Sequence, residues 1–259
     1  MAGIIVIKLG GSTLGSHDTT LEDLVALQKK GVPTVVVHGG ANVVTEWLRR
    51  MNMPTRFVNG LRVTDAETLK VVVAILAGLV NKELVAALQA LGGRAVGLSG
   101  IDGGLLGAQV KEPELGYVGD VAEVNAEPVK ALLAAGFIPV IAPLSIQMPP
   151  EAGDHNFILN VNGDTAAGRI AAALGAEKLI FLTDVAGILD GSKKLIPKMS
   201  VPEAKAMLAS GGASGGMIPK IEACLAALPT VRTTRIIDGR MPHALIKEVE
   251  GGMEGTTIA

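Results

Sequence analysis

Residues 4–12 read Ile-Ile-Val-Ile-Lys-Leu-Gly-Gly-Ser, an apolar β-branched run that ends on a lysine and a glycine pair. Such a run predicts a strand buried on both faces, followed by a tight turn that lets backbone N–H groups approach an anion closely. Far downstream, residues 211–220 read Gly-Gly-Ala-Ser-Gly-Gly-Met-Ile-Pro-Lys and predict a helix opening near Lys220. Free N–H groups at a helix start and a fixed positive charge are ordinary means of holding phosphate. Lys8 and Lys220 together make phosphate chemistry the leading idea.

Outward from residues 4–12, the same pattern repeats. Strands are predicted at Ile4–Leu9, Thr34–His38, Arg94–Leu98, Ile138–Ala142, Lys178–Thr183 and Arg235–Ile237, each followed by a turn and a helical pattern. Alternation of this kind gives an α/β fold with a mainly parallel sheet covered by helices on both faces. Segments Pro54–Val63 and Leu105–Val124 are polar, contain glycine and are too short for helices, so they predict β-hairpins over one sheet edge, placed as lids. The polar stretch Gln147–Asn160 reads as a passage between lobes. A long helix is expected over Asp65–Leu91, with Leu69, Val72, Val73, Leu76, Val80, Leu84 and Leu88 as its buried stripe.

Composition narrows the function classes. The chain has 259 residues, 49% of them hydrophobic, enough for one large domain or two lobes. Net charge is −2 with scattered cations and aromatics are 2%, which argues against a nucleic-acid partner. The lone Cys224 falls at helical spacing with Ile221 and Leu225 and reads as a small buried hydrophobe. One cysteine and four dispersed histidines offer neither a zinc spacing nor a disulfide framework. No basic leader precedes the first strand and no apolar run reads as a bilayer span, so the expectation is a reduced, cytoplasmic protein.

Familiar phosphate motifs are absent: no glycines are spaced as G-x-G-x-x-G and no Gly-Lys dipeptide closes a P-loop. Phosphate must therefore meet separate Gly-Gly turns. Lys8-Leu9-Gly10-Gly11 and Val37-His38-Gly39-Gly40-Ala41 both end apolar strands, and both suit an anion cradle at the carboxyl edge of an open sheet. Either could equally be a tight strand-to-helix turn. Arg62, in Asn59-Gly60-Leu61-Arg62-Val63-Thr64, offers a planar fork for a substrate carboxylate or is an ordinary surface cation. In Asn160-Val161-Asn162-Gly163-Asp164, Asn162 or Asp164 caps a helix, or Asp164 orients the two lysines. Thr183 to Leu189 follow a later strand and are placed to meet a nucleotide.

The segments IKLGGS, VVVHGG, NGLRVT, AVGLSG, NVNGDTAA, LTDVAGIL, GGMIPK and GTTI occur in an order and spacing that resembles the N-acetylglutamate kinases of the amino acid kinase family. The resemblance covers essentially the whole chain. It implies a three-layer αβα sandwich, with residues 1–175 as the acyl-amino-acid lobe carrying the dimer interface and residues 176–259 as the ATP lobe. Matched motif by motif, Lys8 and Lys220 would stabilise the transferring phosphoryl group and Asp164 would organise them. Gly10 and Gly11 would contact phosphate. Arg62 and Asn160 would hold N-acetyl-L-glutamate, with Gly39, Gly40 and Ala41 around it. Thr183, Asp184, Val185, Gly187, Ile188 and Leu189, with Gly212, Ala213 and Ser214, would border the nucleotide. Many relatives carry a third glycine where Ala41 stands, and usually alanine at Gly163.

The implied reaction suits this residue set. A side-chain carboxylate, with a pKa of roughly 4.3, is already an anion at neutral pH and needs no general base to attack a γ-phosphate. It does need relief from anion–anion repulsion, about 4 kcal/mol for unit charges ~4 Å apart at an effective dielectric of 20. Two lysines, backbone N–H groups and Mg²⁺ held mainly by the ATP phosphates answer that need. Two competing readings are a kinase for carrier-protein-linked aminoadipate or glutamate, and a non-catalytic sensor on the same scaffold. The first should show a basic patch near Arg49–Arg62, where cations are few, and the second should lack Lys8, Lys220 or Asp164. Arginine-inhibited relatives carry an extra amino-terminal helix that joins dimers into a ring, so the resemblance implies an arginine-insensitive homodimer, although the tail His243 to Thr256 is similar in part to their arginine-binding segment.

Overall fold

The computed structural model describes residues 3–10, 19–58, 60–149, 156–252 and 254–259. In chain order the first strands and helices are β1 (Ile5–Leu9), α1 (Thr20–Lys29), β2 (Thr34–His38), α2 (Ala41–Arg50), β3 (Phe57–Val58), β4 (Leu61–Arg62), α3 (Ala66–Val73), α4 (Asn81–Ala90) and β5 (Ala95–Ser99). Then come β6 (Leu106–Val110), β7 (Val118–Val124), α5 (Glu127–Ala134), β8 (Ile138–Ala142), β9 (Leu144–Gln147), β10 (Ile158–Val161), α6 (Gly163–Leu174) and β11 (Lys178–Thr183). The chain closes with β12 (Lys198–Met199), α7 (Val201–Ala209), α8 (Met217–Ala227), β13 (Thr233–Asp238), α9 (Ala244–Val249) and β14 (Thr256–Ile258).

Eight strands form one sheet in the order β12-β14-β13-β11-β1-β2-β8-β5. The six from β13 to β5 run parallel, and β14 returns antiparallel at the β13 edge. Strands β1, β2 and β8 are buried at every residue, as a doubly covered sheet demands. Alternation within each strand feeds two cores. Val6, Val35, Val37 and Phe181 pack with α6 and α8 on one face, while Ile5, Ile7, Leu9, Val36 and Ile180 pack with α1, α2, α9 and the helix from residue 66 to 90 on the other. Because β1 is flanked in register by β2 and β11, their carboxyl ends reach one edge together.

Both expected hairpins form, one from β3 and β4 and one from β6 and β7. The second does not stand alone over the sheet edge. β6 also pairs with β9 and β7 with β10, closing a small four-stranded barrel. The stretch Gln147–Asn160, expected as a passage between lobes, therefore begins and ends inside strands of that barrel. Leu106, Ala108, Val121 and Leu159 fill its interior and tie it to the core on the α6 face. The hydrophobic requirement was met by short strands that periodicity alone could not reveal.

The long helix runs continuously from α3 to α4 through a π-helical stretch, Ala74–Val80. Its buried stripe includes Leu69, Val72, Leu76, Val80, Leu84 and Leu88 as expected, while Val73 is only half-buried. Contrary to the expectation of no span-like segment, Ala66–Ala90 is long and apolar enough to cross a membrane by length and composition. Its stripe packs instead on the sheet.

Candidate active site

Strand period places the first functional group. Lys8 shares the face of Val6, so its side chain runs toward α6 and α8. There Lys8 Nζ lies 2.9 Å from Asp164 Oδ1, and Lys220 Nζ lies 3.1 Å from Asp164 Oδ2. Asn162 is the helix cap: its Oδ1 accepts from the N–H groups of Asp164 and Thr165. That leaves the Asp164 carboxylate for the lysines, settling the two open readings of this segment in favour of Asn162 as cap. Lys220, in the first turn of α8, also donates to the Gly216 carbonyl. Burial alone would push the Asp164 carboxyl up, but the two ammonium groups together hold it below the ordinary carboxylate value.

The glycine turns line up beside this bridge. Gly10 N–H donates to Leu182 O and Gly39 N–H to Leu9 O, so both loops are pinned to neighbouring strand ends. Gly40 has φ +149°, and a Cβ there would fall 2.7 Å from Leu76 Cδ2, so the position requires glycine twice over. Ala41 begins α2 in ordinary helical backbone, which explains why a third glycine is dispensable. Gly163 tolerates the alanine of relatives equally well, since a Cβ there meets only ordinary contacts at 3.5 Å. The expected phosphate contact Gly11 lies outside the described residues.

Arg62 is buried in the cavity wall rather than on the surface. Its Nη2 donates to Ala41 O at 3.0 Å and Thr45 Oγ1 at 2.7 Å, and its guanidinium lies 4.8 Å from the Phe57 ring centroid. Its Nη1 is buried with no partner, and no carboxylate pairs with it among the described residues. An arginine taken out of water without a counter-ion is a seat prepared for an anion. Asn160 donates to Thr64 Oγ1, which in turn donates to Arg62 O, linking barrel and hairpin.

These groups surround one cavity of about 460 Å³, lined by Lys8, Gly10, Gly39, Gly40, Ala41, Arg62, Asn160, Asp164, Thr183, Asp184 and Lys220 among others. Val185, Gly187, Ile188, Leu189, Gly212, Ala213 and Ser214 lie outside that lining. Ile188 and Ala213 turn their side chains into the core, leaving only backbone toward a ligand. Gly187 has φ +143°, and a Cβ there would fall 2.7 Å from Thr256 Oγ1, the hydroxyl that accepts from Ile188 N–H. Sequence reading missed Phe57, Thr45 and Thr64, whose roles come from contacts across elements. Among the described residues no three His, Cys, Asp or Glu side chains gather as metal ligands.

The profile of the amino acid kinase family matches residues 3–238. The chain belongs to the amino acid kinase family. This amino acid kinase is 49% identical over 255 residues to an acetylglutamate kinase of Dehalococcoides mccartyi, covering 98% of the present chain and 94% of that one. It is 44% identical to the acetylglutamate kinase of a Synechococcus species, covering 95% and 82% of the two chains. Among solved structures, smu.665 from Streptococcus mutans superposes with a TM-score of 0.83 at 28% identity, with 99% and 98% of the chains covered. Carbamate kinase from Giardia lamblia, at 15% identity and a TM-score of 0.68 over 99% and 98% of the chains, shares the fold.

Proposed function

We propose that this amino acid kinase transfers the γ-phosphoryl group of ATP to the side-chain carboxylate of N-acetyl-L-glutamate, giving an acyl phosphate. The observation that carries the reading is the Lys8–Asp164–Lys220 bridge at the floor of a cavity whose wall holds the unpaired Arg62 Nη1. ATP, with Mg²⁺ on its phosphates, is the donor substrate.

Arg62 and Asn160 seat the acceptor's α-carboxylate and acetylamino end, which turns the side-chain carboxylate toward the lysines. Lys8 and Lys220 cancel the repulsion between that carboxylate and the γ-phosphoryl group, while the Gly40 N–H donates to an equatorial oxygen and Gly10 and Gly39, their own N–H groups bonded to strand ends, line the phosphate site. The carboxylate oxygen forms the new P–O bond as the bond to the bridging oxygen of ADP breaks, and no proton moves. Asp164 pairs with both ammonium groups and aims them. Thr183 to Leu189 and Gly212 to Ser214 border the nucleotide in residues 176–259, and residues 1–175 hold the acyl amino acid. The face of residues 66–90 left open on the long helix, with Val73, Ala77 and Val85 only half-buried, supports a homodimer. We place this ATP-consuming biosynthetic step in the cytoplasm, within arginine synthesis.

The deciding experiment measures ADP release with N-acetyl-L-glutamate, L-glutamate and N-acetyl-L-aspartate, trapping product with hydroxylamine. Hydroxamate from N-acetyl-L-glutamate alone is expected. No turnover with any of the three would sink the assignment and favour the carrier-protein or sensor readings.

A further inference from the structure

Beneath the Gly39–Gly40 turn, on the face of the sheet opposite Lys8, lies a buried pair that the reaction above does not use. His38 ends β2 with the parity of Val36, so its ring points toward the long helix while Lys8 points toward α6. The imidazole is wholly buried. Its Nδ1 lies 2.7 Å from Gly39 O, and Asn81 Nδ2 lies 3.2 Å from its Nε2. A carbonyl can only accept, so Nδ1 carries the proton and Nε2 accepts from Asn81.

Asn81 is itself held from three sides. Its Nδ2 donates to Val140 O at 2.8 Å on β8, and its Oδ1 accepts from Lys82 Nζ at 3.0 Å. It reaches this position across Gly97, where a Cβ would lie 2.0 Å from Asn81 Oδ1. The π-helical turn ends immediately before it. In a trans peptide the C=O and the following N–H point in opposite directions, so a Gly39 carbonyl drawn to the imidazole turns the Gly40 N–H away from it.

We propose that His38 and Asn81 are a positioning pair that clamps the Gly39–Gly40 peptide, aiming the Gly40 N–H at the transferring phosphoryl group. The proposal rests on the kinase reading and deepens it. The charged groups that face the ring are Lys8, through the sheet, and Lys82; with burial as the larger cause, both keep the ring neutral, its pKa lowered to about 4. At working pH the clamp is therefore a single neutral tautomer.

Two measurements test it. Imidazole ¹⁵N spectra of the folded wild-type protein, with His38 assigned by its loss in His38→Asn, should show the Nδ1–H tautomer persisting well below pH 6. In kinetics, His38→Asn keeps an amide donor near Nδ1 and should retain kcat to within about threefold, whereas His38→Gln, with no donor there, should lose roughly 100-fold in kcat as a misaimed oxyanion donor does. The KM for N-acetyl-L-glutamate should move far less than kcat. Asn81→Asp sets a carboxylate against Nε2 and should raise the pH at which the His38 ring titrates in the ¹⁵N spectrum by roughly one unit or more. An Nε2–H tautomer, a ring titrating near its ordinary value, or a His38→Gln enzyme of full kcat would overturn the pair. Wild-type protein inert toward all three acceptors overturns the kinase reading instead, and the two failures are separable because the His38 spectrum needs no turnover. Should His38→Gln fail to fold, the wild-type spectrum decides alone.

Discussion

Asp164 is one carboxylate shared between two buried ammonium groups, and that fixes what its loss does. Asp164→Asn leaves Lys8 and Lys220 facing each other without a counter-ion, which costs on the order of 3–5 kcal/mol for a broken buried pair. Urea unfolding should register that loss, and hydroxamate assays should show kcat down by at least about 100-fold because the lysines are no longer aimed. Its depressed folded pKa has a defined sign: the stabilisation is complete above the unfolded carboxylate value and disappears as pH falls through the folded one. Arg62 predicts a different signature. Arg62→Lys keeps the charge but not the fork, and should raise the KM for N-acetyl-L-glutamate by roughly 30- to 100-fold, the worth of a charge-assisted bond, with kcat nearly unchanged. A lysine variant with wild-type KM would remove Arg62 from the substrate site. Both residues were singled out in the sequence beside ordinary alternatives, a surface cation and a helix cap, and only the resemblance to the acetylglutamate kinases gave them roles. Which neighbour each meets was not legible. Thr45 and Phe57 reach Arg62 from α2 and β3, a contact made only when the hairpin folds over the helix.

At the scale of elements, the tight places are where backbone meets backbone or a buried side chain. Gly97→Ala would drive a methyl to 2.0 Å from Asn81 Oδ1 and 2.8 Å from Lys82 Nζ, displacing the side chain that ties β5, β8 and β2 together. An overpacked, polar-disrupting change of this kind should cost about 2–3 kcal/mol, lowering Tm by roughly 5–10 °C for a chain of this size. An unshifted Tm would mean the strand end yields. The His38 ring adds a pH dependence. Its folded pKa, about 4, lies below its ordinary 6.5, so between those values the unfolded chain binds more protons and stability falls as pH drops through that window. The accumulated loss is about 3 kcal/mol, at 1.36 kcal/mol per pKa unit, and His38→Asn should flatten the Tm-against-pH curve there. The six parallel strands were readable because doubly buried strands leave continuous β-branched runs. Strands β9, β10, β12 and β14 were not, because two to four residues carry no periodicity and their pairing partners lie far away in sequence.

For the whole molecule, the open question is what covers the long helix. The single chain buries 44% of its most apolar window and leaves Val73, Ala77 and Val85 half-buried. A second copy on that face should be broken by Ala77→Glu, which places a carboxylate in the contact, and sedimentation should then show a monomer. A dimer unaffected by that change would locate the interface elsewhere. The sequence by itself determined the alternation of strand and helix, the two lysines, the glycine turns and the family, because each is written in local residue choice: β-branched runs, Gly-Gly steps and charges set beside them. Only the tertiary structure decided which face of the sheet each side chain serves. One residue of parity separates Lys8, which meets Asp164 across the α6 face, from His38, which meets Asn81 beneath the opposite one. That separation depends on strand register and on which helices cover which face, and it is set by the burial of two cores at once, a property of the assembled chain and of no single stretch of it.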